Sequence, residues 1–440
     1  MLDTMYGHNK VKDTYYFAGD FIKDLYSDKA ITPAPSHLNP TLFLVNASRL
    51  STTATYTTGD TKYTANISLT ADPDSPVKEA YGQSSSGWGT LTAGDTYGVE
   101  SLFVQGPNSV VVGSGGTIGT WSKFLNTTTS NLLTMLMVGD TGNSTKVMYA
   151  TPRIEAGLFR GWKMGVSFAP NTKHRAVMAM NTAAAPVKKA FAPFDLNSTA
   201  MGVNYLSSWN KSGSFGCSFV YLTGDTRPEK VMNTAPREFD IKEGDQAGTY
   251  LVEVPSRSLD RFPTRAFNVS MVTKIGNWFV GAEYIQNKSS GQLRYNSPSA
   301  VRKDDPTVVL EYPIIPFQGA EGKRYVSSKV GNGWMVNTCA GYDNRTFGIS
   351  LSWLKSSVRT GFLGKGQTQS LRATTQVYVM SIQYYYAPGI APYFECGVAK
   401  MHNPDWAHAS KLIPFYTNYE YTGAPSNKGN FFTLGLKVNF

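Results

Sequence analysis

The chain has 440 residues, of which only 16% are charged, well below the roughly 25% that is usual in soluble domains. Apolar residues make up 41% and aromatic residues 13%, and this composition excludes a disordered chain. The net charge is +10, but Lys and Arg are spread along the chain without a basic block, so no nucleic-acid partner is expected.

Alternation of apolar and polar residues recurs along the whole chain, and a period of two predicts β-strands. One representative stretch places Tyr63, Ala65 and Ile67 on one face and Thr64 and Asn66 on the other. Each predicted strand is about as long as the roughly 9–11 tilted residues with which a strand crosses a bilayer. The predicted strands are sixteen in number and lie near residues 13–24, 41–57, 61–71, 77–85, 87–96, 144–154, 160–169, 199–209, 213–224, 265–275, 277–287, 333–342, 345–356, 373–386, 391–402 and 430–440.

The connections between these strands are alternately short and long. The short ones are turns at 58–60, 85–87, 157–159, 211–212, 276, 343–344 and 388–389, and the long ones are 97–143, 170–198, 225–264, 288–332, 357–372 and 403–429. This succession predicts an all-β fold, a transmembrane antiparallel β-barrel with short periplasmic turns and long extracellular loops. Hydrocarbon offers no hydrogen-bond partners, so every backbone amide must pair with a neighbouring strand and no sheet edge can stay open.

The last predicted strand shows the alternation most clearly. Phe432, Leu434 and Leu436 alternate with Thr433 and Gly435, and the chain ends on an aromatic residue. Such an ending resembles the last strand of bacterial outer-membrane barrels. The alternative to a membrane barrel is a soluble all-β binding protein. Its outward face would be polar, whereas one face of these strands repeatedly carries Trp, Tyr, Phe, Met and Leu.

Cysteine content and hydropathy agree with this interpretation. The three cysteines at positions 217, 339 and 396 are far apart, and an odd number argues against a disulfide framework, so we expect buried or lipid-facing thiols. The chain contains no run of 18 or more apolar residues, so we predict no transmembrane helix. The first residues have neither the basic start nor the apolar core of a signal peptide, so an exported protein would here be in its mature form.

Two short segments resemble a known family. Residues 87–95, GWGTLTAGD, resemble the strand that precedes the constriction loop in general bacterial porins, and residues 143–152, NSTKVMYATP, resemble the strand that follows it. The resemblance implies a sixteen-stranded barrel in the bacterial outer membrane, a single domain over residues 1–440 that contacts the lipid bilayer and lipopolysaccharide. It also implies a homotrimer that passes small hydrophilic solutes by diffusion, with the third long loop, residues 97–143, folded into the lumen as a constriction loop.

Candidate pore-lining charges follow from the alternation and from this loop. The wall positions expected to face inward are Arg49, Lys62, Lys146, Lys163 and Lys437 among basic residues, and Asp20, Glu283 and Glu395 among acidic ones. The loop adds Glu100, Lys123 and Asp140, and it lacks the dense acidic cluster of many relatives. A ring of fixed charge sets the sign of the ion that passes most easily, so the basic excess predicts a weak anion preference. Relatives carry basic wall residues on the second and sixth strands, which singles out Arg49 and Lys146; an ordinary solvated lumen charge is the alternative role for each residue.

The loop is apolar at residues 102–104 and 132–137, and the second stretch is long enough for a short helix against the inner wall. These stretches either anchor the loop or contact a solute, and anchoring is the simpler interpretation.

The sequence shows no motif for covalent chemistry. There is no P-loop and no HExxH, and the five histidines are scattered, so we expect no enzyme, no catalytic residues, no cofactor and no metal site in the barrel. Acidic loop residues leave open a structural divalent cation without assigned ligands, and they are Asp304, Asp305, Glu238, Asp240, Glu243 and Asp245. The leading interpretation is a passive outer-membrane porin. The alternatives are a surface structural or adhesin barrel with long binding loops and little conductance, and a barrel lipase or protease.

Overall fold

The computed structural model describes residues 2–11, 41–45, 49–70, 77–118, 143–171, 195–209, 213–226, 229–230, 237–241, 248–252, 258–259, 264–288, 299–302, 309–311, 333–363, 370–402 and 427–438. The strands are, in chain order, β1 (Leu2–Val11), β2 (Thr41–Val45), β3 (Arg49–Thr58), β4 (Thr61–Thr70), β5 (Val77–Ser86), β6 (Gly89–Asp95), β7 (Thr145–Ala150), β8 (Trp162–Asn171), β9 (Asp195–Trp209), β10 (Gly213–Thr226), β11 (Glu229–Lys230), β12 (Arg237–Ile241), β13 (Gly248–Val252), β14 (Ser258–Leu259), β15 (Thr264–Ile275), β16 (Trp278–Asn287), β17 (Ser299–Arg302), β18 (Val309–Glu311), β19 (Gly333–Asp343), β20 (Phe347–Leu363), β21 (Ser370–Tyr384), β22 (Ile390–His402) and β23 (Asn427–Val438). Between β6 and β7 lie a helix, α1 (Val99–Leu102), and two 3-10 turns at Pro107–Ser109 and Gly116–Ile118.

Seventeen strands form one large antiparallel sheet. Its lateral pairings follow the chain from β3 to β10, continue through β15, β16 and β19, and run on to β23. The first strand, β1, pairs with β23 from Leu2↔Leu436 to Val11↔Asn427 and also with β2. Only residues 46–48 separate β2 from β3, so these two strands together correspond to the one strand predicted over 41–57. The fold is an antiparallel β-barrel, but among the described residues β3 pairs with β4 alone, so the described pairings leave the other edge of β3 open.

The strands predicted from 41–57 onward are confirmed, with shifted ends; the largest shift is in β20, which continues to Leu363. The strand predicted at 13–24 lies outside the described residues, and β1 was not predicted. Two small sheets were also not predicted. They are β11 with β14 and the four strands β12, β13, β17 and β18, and they lie in connections that the sequence analysis treated as loops. No helix among the described residues is long and apolar enough to cross a membrane.

The exposure of side chains alternates along the strands of the barrel. In β23, Phe432 and Leu434 are 48% and 61% exposed, whereas Phe431 and Thr433 are 3% and 0% exposed. Phe168 of β8 points outward as well and is 41% exposed. The predicted division into an apolar outer face and an inner face is therefore confirmed at these positions.

The inner face of the barrel is not polar throughout. From β10 to β23 it carries a belt of buried apolar side chains, which are Val220, Leu222, Ala266, Ile285, Met335, Leu354, Val377, Ala399 and Phe431. Val99 and Phe103, from the connection between β6 and β7, belong to the same cluster. These wall residues are apolar because protein atoms, rather than lumen water, cover them.

Candidate functional site

The connection between β6 and β7 turns into the barrel, and its described part, residues 97–118, follows the inner wall. The backbone N–H of Val99 donates to Ser167 Oγ of β8 at 3.1 Å. Val99 and Phe103 are buried, and both pack against Gly202 of β9. A Cβ at Gly202 would lie 2.6 Å from Val99 Cγ1, so this part of the wall accepts the helix only because it has no side chain there. The predicted inward folding of the loop is confirmed for these residues.

The next contact is a hydrogen bond shared between two neighbouring strands. The backbone N–H of Gln105 donates to Ser218 Oγ of β10 at 3.0 Å and to Ser270 Oγ of β15 at 3.1 Å. The two hydroxyls are 2.6 Å apart and hydrogen-bonded to each other. Small hydroxyl side chains at paired inward positions thus hold the loop backbone close to the wall.

The first 3-10 turn of the loop rests on β19. The Cys339 thiol donates to the carbonyl oxygen of Pro107 at 3.7 Å, and Asn337 Nδ2 donates to Asn108 Oδ1 at 3.3 Å. Thr117 Oγ1, from the second turn, donates to Asn337 Oδ1 at 2.7 Å. One wall amide therefore bonds both turns of the loop. All three cysteines are free, and Cys339 is buried under the loop, which agrees with the predicted unpaired thiols.

Glu283 of β16 lies beside this contact. It accepts a hydrogen bond from Asn268 Nδ2 at 2.6 Å and a longer one from Asn337 Nδ2 at 3.4 Å. Its side chain is buried, and so this inward carboxylate serves as an acceptor for wall amides.

A second inward carboxylate, Glu395 of β22, holds the far end of the described loop. Its Oε1 accepts from the backbone N–H of Ser114 at 2.7 Å and from Ser381 Oγ at 2.8 Å, while the Ser114 hydroxyl donates to Oε2. The adjacent N–H of Gly113 donates to Gln383 Oε1 at 3.0 Å. Gly113 has φ +77°, and a Cβ there would lie 2.3 Å from Glu395 Oε1, so both the backbone conformation and the close approach require glycine.

The wall opposite to these contacts is polar and open. In β3, Ser51, Thr53 and Thr55 lie on the inward register and are exposed, while Leu50 and Tyr56 on the outward register are each 67% exposed. Both faces of β3 are therefore uncovered by protein, with hydroxyl groups on the inward register and apolar groups on the outward register. Asn66 of β4 continues the polar face across the sheet, since its Nδ2 donates to Thr53 Oγ1 at 2.9 Å.

The predicted pore-lining residues occupy different environments. Glu100 and Lys146 are both buried and form an ion pair at 3.9 Å, which joins the loop to β7. Glu283 and Glu395 are buried as described above. Lys62 is exposed, and Lys163 is half-buried with its Nζ 5.7 Å from the Phe103 ring centroid.

The remaining predicted charges are less fully described. Lys437 lies on the inward register of β23, with its Nζ 5.9 Å from the Tyr393 ring centroid. Arg49 begins β3 and pairs with Thr70. It is two residues before Ser51 and therefore lies on the same inward register of the strand. Asp20, Lys123 and Asp140 lie outside the described residues, as does the apolar stretch 132–137.

The sequence analysis did not single out Ser167, Ser218, Ser270, Asn337 or Gln383. Each of them is a polar residue at an inward position. A water-filled lumen explains such a residue as well as a contact with the loop does, so the sequence could not distinguish the two. In the part of the chain that the structure describes, no group of three or more His, Cys, Asp or Glu side chains could hold a metal ion. The loop acids at 243, 245, 304 and 305 lie outside that part, and the side chains at 238 and 240 are not described.

No family model and no curated protein matches the chain. Among solved structures, the trimer form of the outer-membrane protein OmpT of Vibrio cholerae has 8% identity and a TM-score of 0.47, with 100% of this chain and 98% of that chain covered. The outer-membrane channel DcaP of Acinetobacter baumannii has 10% identity and a TM-score of 0.45, with coverage of 98% and 94%. An anion-selective porin from Comamonas acidovorans has 11% identity and a TM-score of 0.43, with coverage of 100% and 99%. Identities this low carry no property of those proteins over to this chain.

The location follows from the barrel's own surface. Its outward positions are apolar side chains such as Leu351, Met271 and Leu434, each at least 50% exposed. Such a face is stable in hydrocarbon, where laterally paired strands leave few backbone groups without a partner. The outward face is therefore that of a membrane-spanning β-barrel.

Proposed function

We propose that the protein is a passive channel for small hydrophilic solutes and ions. The observation that supports this function is the exposed hydroxyl-lined inner face of β3 next to a loop held against the wall from β8 to β22. Water can hydrate the open face, and the loop narrows the space beside it. Solute size and charge would then decide passage, and no covalent step is required.

The electrostatics of the inner wall support the weak anion preference. The carboxylates of Glu100, Glu283 and Glu395 are buried and already bound to Lys146, to wall amides or to the loop. Lys62 and Lys163 retain exposure to the lumen. Of these candidate charges, the ones left to act on a passing ion are therefore basic.

Planar-bilayer recording tests this proposal. Purified protein should give stepwise, long-lived conductance, and the reversal potential in asymmetric KCl should show chloride as the more permeant ion. Lys62→Glu should lower the chloride-to-potassium permeability ratio without abolishing the steps. A complete lack of conductance steps would contradict the channel, and a clear potassium preference would contradict the charge assignment.

The alternative is a surface structural or adhesin barrel with little conductance. The observation that favours it is the sheet of β12, β13, β17 and β18, because it joins two long connections into a folded element. A sealed barrel of this kind would show no steady open current in the same recordings.

We further propose a single barrel domain over residues 1–440 that is not an enzyme and assembles as a homotrimer in contact with lipid and lipopolysaccharide. A groove of about 510 Å³ on β3 to β6 supports the assembly; its outward lining includes Ala54, Tyr56, Tyr63, Ala65, Gly82, Leu91 and Ala93. Small residues let a neighbouring sheet approach closely in a membrane. Ala65→Trp should shift the oligomer toward monomer in cross-linking experiments, whereas Leu351→Trp on a distant strand should not.

A further inference from the structure

Two cations lie side by side on the inner face, at the rim of the short turns. The connection between β7 and β8 folds back on itself, with hydrogen bonds from the N–H of Thr151 to the carbonyl oxygen of Met164 and from the N–H of Ile154 to that of Trp162, both at 2.9 Å. This hairpin places Arg153 next to Lys163 of β8. Lys163 in turn pairs with Asn204 of β9, so the three side chains form a row across the wall.

The guanidinium of Arg153 is fixed in this row. Its Nη2 donates to Asn204 Oδ1 at 3.0 Å, and its Nη1 donates to the carbonyl oxygen of Gly161. Lys163 makes no hydrogen bond with the described residues, and its ammonium lies near the face of the Phe103 ring at the base of the loop. The arginine therefore cannot move away from the lysine without losing two hydrogen bonds.

Neither cation has a carboxylate partner within ion-pair distance among the residues that the structure describes. The nearby acid of the loop, Glu100, is engaged with Lys146 and receives a hydrogen bond from Ser167. Two like charges held together while partly removed from water repel each other, and a bound anion would relieve that repulsion.

The donors that remain suit an oxyanion. Arg153 uses two of its five N–H groups in hydrogen bonds with described residues, and Lys163 has three N–H donors on a flexible stem. Charge-assisted hydrogen bonds to two oxygens of one ligand are favourable and directional. An oxyanion offers those two acceptor oxygens, whereas chloride is a single atom. We propose that Arg153 and Lys163 form a subsite for a small oxyanion, with Asn204 as the positioning residue. This inference rests on the proposed channel function and deepens it, since it makes solutes with phosphate or carboxylate oxygens the preferred cargo.

Inorganic phosphate is the probe for this subsite. In planar bilayers, phosphate should reduce the chloride current of the native channel with a saturable dose dependence. Lys163→Gln should raise the concentration for half-block about tenfold, as expected for loss of one charged hydrogen bond. Lys163 is the better target because its side chain makes no hydrogen bond within the described protein, whereas Arg153 also holds its hairpin.

Lys274→Gln is the matched control. It removes one exposed lysine from the inward register of β15 near the same rim, and it should leave the phosphate block unchanged. Equal block in native protein and Lys163→Gln, or no block of a conducting native channel, would overturn the subsite. If the native protein forms no channel, the proposed channel function is wrong, but phosphorus NMR titration in detergent still tests the subsite.

In that titration, the native protein should broaden the phosphate line and Lys163→Gln should not. Equal spectra for the two proteins would overturn the subsite.

Discussion

Replacing Glu395 by alanine should release the far end of the loop from the wall. Two of the hydrogen bonds that this carboxylate accepts come from Ser114, one from the backbone N–H at 2.7 Å and one from the hydroxyl. A hydrogen bond to a charged group contributes about 1.5–3 kcal/mol. Losing both, with water entering the vacated site, should cost about 3 kcal/mol of local stability, which raises the open fraction of the loop end about 100-fold.

Hydrogen exchange measured by mass spectrometry on peptides that cover residues 106–118 would detect this opening. The amides of Gly113 and Ser114 should exchange about 100-fold faster in Glu395→Ala, whereas Glu395→Gln keeps one acceptor oxygen and should cost about 1 kcal/mol. Thr433→Ala is a matched control, because Thr433 pairs with Glu395 across the sheet and is equally buried. Unchanged protection in Glu395→Ala would refute the role of this carboxylate as the attachment of the loop.

Three further predictions concern other parts of the barrel. Gly202→Val should cost about 1–3 kcal/mol in the free energy of unfolding, because the new side chain overlaps Val99; a neutral effect would contradict the packing of the helix. Leu434→Arg should lower the stability of protein folded in vesicles by about 2–4 kcal/mol if the outward face meets lipid, and an unaffected variant would place that residue elsewhere. Burial and the hydrogen bond to Asp343 raise the pKa of Tyr385 to about 12 from an ordinary value of 10.0. The neutral phenol therefore stabilises the fold below pH 10, and this stabilisation is lost as the pH rises to 12. Tyr385→Phe should remove that pH dependence from unfolding curves, and an unchanged profile would contradict the assignment.

The sequence alone was sufficient for the outside of the barrel. Phe432 and Leu434 were placed outward from a period of two, because alternation fixes the face of each residue once a strand is recognised. The same rule placed Glu283 and Glu395 inward, and both are inward. Alternation could not reveal that another segment of the chain covers them, since Ser114 and Glu395 are 281 residues apart.

Other features had no periodic signal. The small sheets in the long connections pair short segments that are distant in sequence, for example Tyr250 with Arg302. Strand β1 has mixed polarity, so its pairing with β23 depends on tertiary context rather than on its own pattern. Arg153 was overlooked because alternation along the strand predicted over 144–154, with Lys146 inward, puts it on the outward register. β7 ends at Ala150, and beyond that residue the alternation no longer sets the direction of a side chain.

The most direct test of the water-filled passage uses single cysteines in a variant whose three native cysteines are replaced by serine. Thr55→Cys lies on the exposed inner face of β3, and Ser352→Cys lies on the inner face of β20, where the loop approaches through Gly116. A charged, membrane-impermeant thiol reagent should lower the single-channel current of Thr55→Cys and leave that of Ser352→Cys unchanged. Modification of Ser352→Cys with no effect at Thr55→Cys would contradict a passage beside β3.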